Sequence, residues 1–155
     1  MTTEHPAIVL KNRNDLVWEP MVPALAQHSP RFATLRTDTR TGETTIVIEF
    51  PSAIHIPKHA HEKSETHFLL AGSHVFGHQG TRTEVREGGY FFMEGGIVHE
   101  AWVPAGAKAI IVLAGGWKVD WIAGGPTSAD LGVQASSDDS AAAVARPQEF
   151  PGPQR

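Results

Sequence analysis

Hydrophobic and polar positions in this chain alternate in short runs and do not recur every three or four residues. Such runs read as strands, because successive strand side chains point to opposite faces. They fall at residues 44–50, 66–71, 73–78, 82–86, 90–93, 99–103, 107–114 and 117–122, with a further strand around 31–36. Gly and Pro punctuate them, at Thr41-Gly42, Gln79-Gly80, Gly88-Gly89, Gly95-Gly96, Pro104-Ala105-Gly106 and Gly115-Gly116. Short, regularly spaced strands with turn residues between them predict an all-β sandwich or barrel. The run Ala109-Ile110-Ile111-Val112-Leu113 is apolar on both faces, as a strand buried on both sides would be.

After residue 122 the character changes: Gly, Ala, Ser, Pro and Asp dominate and large apolar residues almost vanish. The expected division is a β-barrel domain over 1–122, with an N-terminal strand extension, and a poorly structured tail over 123–155. An arm laid across a neighbouring subunit is the other reading of that tail. Residues 137–145 fit a short helix, capped by Ser137, acidic in its first turn and stopped by Pro147.

Composition narrows the chemistry. With 155 residues and 41% hydrophobic content the chain suits one domain with a genuine core. A net charge of −4 gives no reason to expect nucleic acid or an anionic membrane as partner. The sequence has no cysteine, so any metal must sit on His, Asp or Glu. The N-terminus lacks a basic start followed by an apolar run, and no apolar stretch reaches membrane-spanning length; a cytoplasmic location is expected.

The densest chemistry lies in the run His59-Ala-His-Glu-Lys-Ser-Glu-Thr-His-Phe-Leu-Leu-Ala-Gly72. On a strand His59 and His61 share a face, Glu65 follows after a short turn, and His67 shares the parity of Glu65. A second run from Gly88 ends at His99 and can bring one more imidazole to the same place. Three nitrogens and a carboxylate oxygen converging inside a sheet protein suit a divalent transition metal. For Glu65 the alternative is a strand-edge carboxylate that never touches metal. His67 has three competing roles: a ligand in place of Glu65, a group orienting Glu65 or the substrate, or a general base. A hydrogen-bonded core histidine is the bland reading. His55, His74 and His78 have no supporting spacing and read as surface or rim residues, and most of the aromatic residues read as core.

These spacings resemble the cupin superfamily. Its first motif is Gly, five residues, His-x-His, three or four residues, Glu, six residues, Gly; here His59, His61, Glu65 and Gly72 match. Gly88, Gly96 and His99 match the second motif. Ala53 departs from the first motif, replacing its opening Gly, and Glu94 and Val103 depart from the second, replacing Pro and Asn; none of these is a ligand position. The resemblance covers roughly residues 40 to 120 and implies a double-stranded β-helix, or jelly-roll, barrel. It implies a metal held by His59, His61, Glu65 and His99, with His67 as the catalytic candidate.

The flanking residues around Asp15-Leu16-Val17-Trp18-Glu19-Pro20 and Trp117-Lys118-Val119-Asp120 look like one cupin subgroup. That subgroup contains dihydroxyacetophenone-type and acetylacetone-cleaving dioxygenases and the zinc-binding cupin domains of anti-sigma factors. The expectation is a non-haem Fe(II) dioxygenase cleaving a small carbonyl or hydroxyketone substrate that chelates through two oxygens. The alternatives are a Zn, Mn or Ni lyase, isomerase or cyclase, and a zinc-structured ligand-binding or sensing domain. The partners expected are a small-molecule substrate and a second copy of the chain, as a homodimer or higher homo-oligomer.

Overall fold

The computed structural model describes residues 8–135. Their strands, in chain order, are β1 (Trp18–Pro20), β2 (Arg31–Thr37), β3 (Thr44–Glu49), β4 (Ile54–Ala60), β5 (Glu65–Ala71), β6 (Ser73–His78), β7 (Thr81–Arg86), β8 (Tyr90–Met93), β9 (His99–Val103), β10 (Lys108–Leu113) and β11 (Asp120–Trp121). One sheet has the order β1-β2-β3-β10-β5-β8 and the other β11-β4-β9-β6-β7. Every pairing is antiparallel. The inner faces supply one core: Ile46, Ile48, Leu69, Ile111 and Leu113 from the first sheet meet Ile54, Ile56, Phe76, Ala101 and Val103 from the second. This is the all-β jelly-roll architecture expected from the spacing of strands and turns.

Three details differ from expectation. β4 is absent from the periodic runs because Pro57 interrupts it. Proline lacks the N–H that a ladder needs and is tolerated in a strand at an edge or a bulge. The β4–β9 register shifts between Ile56 and His59. That shift exchanges inward and outward parity, so Ile54 and Ile56 are buried, Lys58 is exposed, and His59 is buried.

The second difference is β10. Ala109, Ile111 and Leu113 are buried while Ile110 and Val112 are only half-buried, so one face lines the core and the other remains partly open. Third, of residues 117–122 only Asp120 and Trp121 form a strand, opposite Ala60 and His59. Residues 117–119 form a strap along the interior cavity, which Trp117 and Val119 line.

The turn between β5 and β6 shows why Gly72 stands where it does. Its φ is +71°, and a Cβ there would sit 2.9 Å from Ala107 Cα.

Beyond Ile122 the chain stays on the barrel as far as Gly132. A 3₁₀ turn at Ser128–Asp130 is capped by the Thr127 hydroxyl, Leu131 bridges Ile54, and the Gly132 N–H donates to the Ala53 carbonyl at 2.8 Å. On the outer face His55 lies between two carboxylates, with Nδ1 3.0 Å from Asp130 Oδ1 and Nε2 2.8 Å from Glu100 Oε2. The helix expected over 137–145 lies outside the described residues. Among the described residues no helix is long and apolar enough to cross a membrane.

Candidate metal centre

Strand parity and the Pro57 bulge together bring the predicted side chains to one place. His59 on β4 is the direct ladder partner of His99 on β9. His61 lies one residue past the end of β4, and Glu65 and His67 point inward from β5. One ring nitrogen from each of His59, His61 and His99 lies within 4.8 Å of the other two, a group that could hold a metal ion.

The backbone fixes the tautomer of all three rings. His59 Nδ1 is 2.7 Å from the Pro57 carbonyl, His61 Nδ1 2.8 Å from the Lys118 carbonyl, and His99 Nδ1 3.0 Å from the Ile97 carbonyl. A carbonyl oxygen only accepts, so each Nδ1 carries the hydrogen, and in a neutral ring each Nε2 is left as a bare lone pair. A hydrogen bond from one ring nitrogen that frees the other is the arrangement metal-ligating histidines use.

Glu65 lies beside the three histidines and is not one of the group whose ligand atoms fall within 4.8 Å of one another. Its Oε1 lies 3.0 Å from His99 Nε2, and its Oε2 3.4 Å from His61 Nε2 and 3.2 Å from His67 Nε2. Burial works against this carboxylate, yet the contacts with His67 and His99, together with the nearby His61, hold its carboxyl well below the usual range. It is therefore an ionised acceptor, and His67 must donate to it through Nε2–H.

Burial pushes His59 down to about 4, helped by His99 and His61 beside it. For His99 burial acts in the same direction, but the Glu65 contact and the Ile97 carbonyl outweigh it and its pKa is raised. Glu65 Oε1 is buried and makes no hydrogen bond among the described residues despite its approach to His99. Bare imidazole lone pairs facing a carboxylate need a proton or a cation between them, so the donor set fits a divalent cation.

The cluster opens into an interior cavity of about 70 Å³, walled by Ile48, Phe50, Phe76, Ala101, Trp117 and Trp121 among others. A larger groove of about 700 Å³ lies along Gly77, Arg82, Glu100 and Trp102, on the outward side of the β6–β9 sheet. The converging donors open into the smaller, interior cavity, and that is where the site lies.

The other histidines separate. His55 is on the outer face, and His78 donates from Nδ1 to the Val98 carbonyl at 2.7 Å. His74 is not a rim residue: it is 2% exposed and lines the cavity. On β6 it shares the inward parity of Phe76: His74 and Phe76 are buried while Ser73 and Val75 are half-buried. Burial pushes the His74 ring down to about 3.

Comparison with known proteins agrees with this architecture. No curated protein sequence matches the chain. A candidate acetylacetone dioxygenase from Methylibium petroleiphilum PM1 superposes with a TM-score of 0.61 at 16% identity, over 74% of this chain and 81% of that one. An acetylacetone dioxygenase from Acinetobacter johnsonii gives 0.58 at 18% identity, over 74% and 78%. The DMSP lyase DddQ from Ruegeria pomeroyi DSS-3 gives 0.56 at 18% identity, over 69% and 61%. At such identities the likeness establishes the fold alone. The family model for the ChrR cupin-like domain matches residues 8–117, most of the chain. This protein is therefore a member of the ChrR cupin-like family, within the cupin superfamily.

Proposed function

We propose that the protein is a metal-dependent oxygenase, a non-haem Fe(II) dioxygenase acting on a small β-dicarbonyl or hydroxyketone. The observation that carries the reading is the set of three histidines whose Nδ1–H groups are tied to backbone carbonyls, leaving three Nε2 lone pairs beside a buried carboxylate. His59, His61 and His99 would hold the ion, with Glu65 as fourth ligand. Bound there, Fe(II) supplies Lewis acidity toward a chelating enolate and one-electron chemistry toward dioxygen.

The chain's own contribution is positional. His67 Nε2–H fixes the Glu65 carboxylate, and the His67 ring is the group placed to hold or pass a proton beside it. The apolar walls exclude water and restrict the substrate to a few heavy atoms. The strap sets Trp117 in the cavity wall and spends the Lys118 carbonyl on His61, so one segment both lines the site and orients a ligand. Exposed Phe68, Tyr90 and Phe92, on adjacent strands of one sheet face, support pairing with a second copy.

The test is oxygen uptake by iron-loaded protein across a panel of β-dicarbonyls and hydroxyketones. Consumption that matches substrate loss and vanishes in His99→Ala is the expected result. Silence across the panel would overturn the reading, and turnover that continues without oxygen would move the assignment to a metal-dependent lyase or isomerase.

A further inference from the structure

We propose that His67 and His74 form a hydroxyl-binding pair in the interior cavity, so that the substrate carries a hydroxyl group besides the oxygens that reach the metal. The inference rests on the chelate reading above and adds a third polar contact to it.

Both rings line the cavity, at 5% and 2% exposure, with centroids 5.7 Å apart and planes at 77°. Phe50, Phe76 and Phe91 pack around them at centroid distances of 5.3 to 5.8 Å and offer no conventional hydrogen-bond partner. His67 Nδ1 and His74 Nε2 are both buried and have no hydrogen-bond partner among the described residues. Native interiors rarely leave such atoms unsatisfied, and two on adjacent rings that both line one cavity point to a ligand group that supplies what the protein does not.

The chemistry selects which group. His67 has committed its Nε2–H to Glu65, so in the neutral ring Nδ1 only accepts. Burial keeps His74 neutral, and the pair is complementary when that ring carries its hydrogen on Nε2 and donates. A carbonyl oxygen satisfies only the donor. A hydroxyl satisfies both, giving its hydrogen to His67 Nδ1 and accepting from His74 Nε2–H at the same oxygen.

The experiment uses full-length protein loaded with Co(II), whose visible spectrum reports chelation without turnover. The probes are acetylacetone and 1-hydroxypentane-2,4-dione, the same chelating skeleton with and without a hydroxyl. Wild type should bind the hydroxylated dione about 10- to 100-fold more tightly, the range expected when a ligand pairs buried polar atoms otherwise left unsatisfied. His74→Leu should abolish that preference and His74→Gln should keep part of it, with cobalt content unchanged in both. Without probe, the thermal midpoint of His74→Leu should be no lower than wild type, because an unpaired nitrogen has been removed. Equal binding of both diones by wild type, a preference that survives His74→Leu, or midpoints lowered in both variants overturns the hydroxyl pair alone. No spectral response to either dione overturns the chelate reading, and this inference with it.

Discussion

Burying His74 as a neutral ring predicts a specific acid sensitivity that one substitution should remove. In the unfolded chain the imidazole titrates near 6.5, and in the fold burial holds it down to about 3. Protons therefore bind the unfolded state preferentially between those values. The ring contributes its full share of stability above pH 6.5 and loses it progressively as pH falls toward 3. Traversed completely, that window corresponds to roughly 5 kcal/mol, and stopping at pH 5 corresponds to roughly 2 kcal/mol. Leucine at position 74 does not titrate. The stability difference, wild type minus His74→Leu, should then fall by roughly 2 kcal/mol between pH 7.5 and pH 5. Urea denaturation of chelator-treated protein at both pH values measures it. Other titrating groups, including His59 at about 4, are present in both proteins and largely cancel. A difference constant to within about 0.5 kcal/mol would mean that His74 takes a proton as readily folded as unfolded, and the account of a dry, neutral ring would be refuted.

Two further outcomes probe the cluster itself. Glu65→Gln keeps the shape and removes the charge: metal affinity by chelator competition should drop about 10- to 100-fold. In the same metal-free protein the His99 titration followed by NMR should move to lower pH, since burial then acts without the carboxylate; an unmoved titration contradicts the role given to Glu65. Gly95→Ala tests the loop between His61 and Glu65. A Cβ there would lie 2.7 Å from Lys63 Cα and collide with the Glu62 carbonyl oxygen, so the 62–64 loop must move. A destabilisation of about 1–3 kcal/mol by denaturation, with weakened metal binding, is expected, and a neutral result on both measures refutes the close packing.

Much of this site was legible because sheet parity is a period of two. On β5 the buried Glu65, His67 and Leu69 alternate with Thr66, Phe68 and Leu70, and on β9 the buried His99, Ala101 and Val103 alternate with Glu100 and Trp102. Reading either strand from one inward residue fixes the others. β4 resisted because its parity is not continuous. Counting from the buried Ile54 and Ile56 puts Lys58 inside and His59 outside, and only the bulge at Pro57 reverses that. His74 resisted for a different reason: Val75 beside it is as apolar as the interior requires, so the sequence of β6 does not say which face is inward. The 117–122 run misled because Trp117 and Val119 line the cavity without continuing the ladder.

The buried polar inventory separates what a metal accounts for from what it does not. His59, Glu65, His67, His74 and His99 are all at most 6% exposed, in a domain whose remaining interior is chiefly aliphatic and aromatic. Selection for stability alone would favour apolar side chains at such positions, because burying an imidazole gains little even when it is satisfied. One cation explains His59, Glu65 and His99 together with the partly exposed His61, each already oriented by a neighbouring carbonyl or imidazole. It explains His67 as far as Nε2 and leaves His67 Nδ1 and His74 Nε2 without a hydrogen-bond partner among the described residues. On the proposed reading those two atoms, on β5 and β6 of opposite sheets, meet a polar small molecule in the cavity.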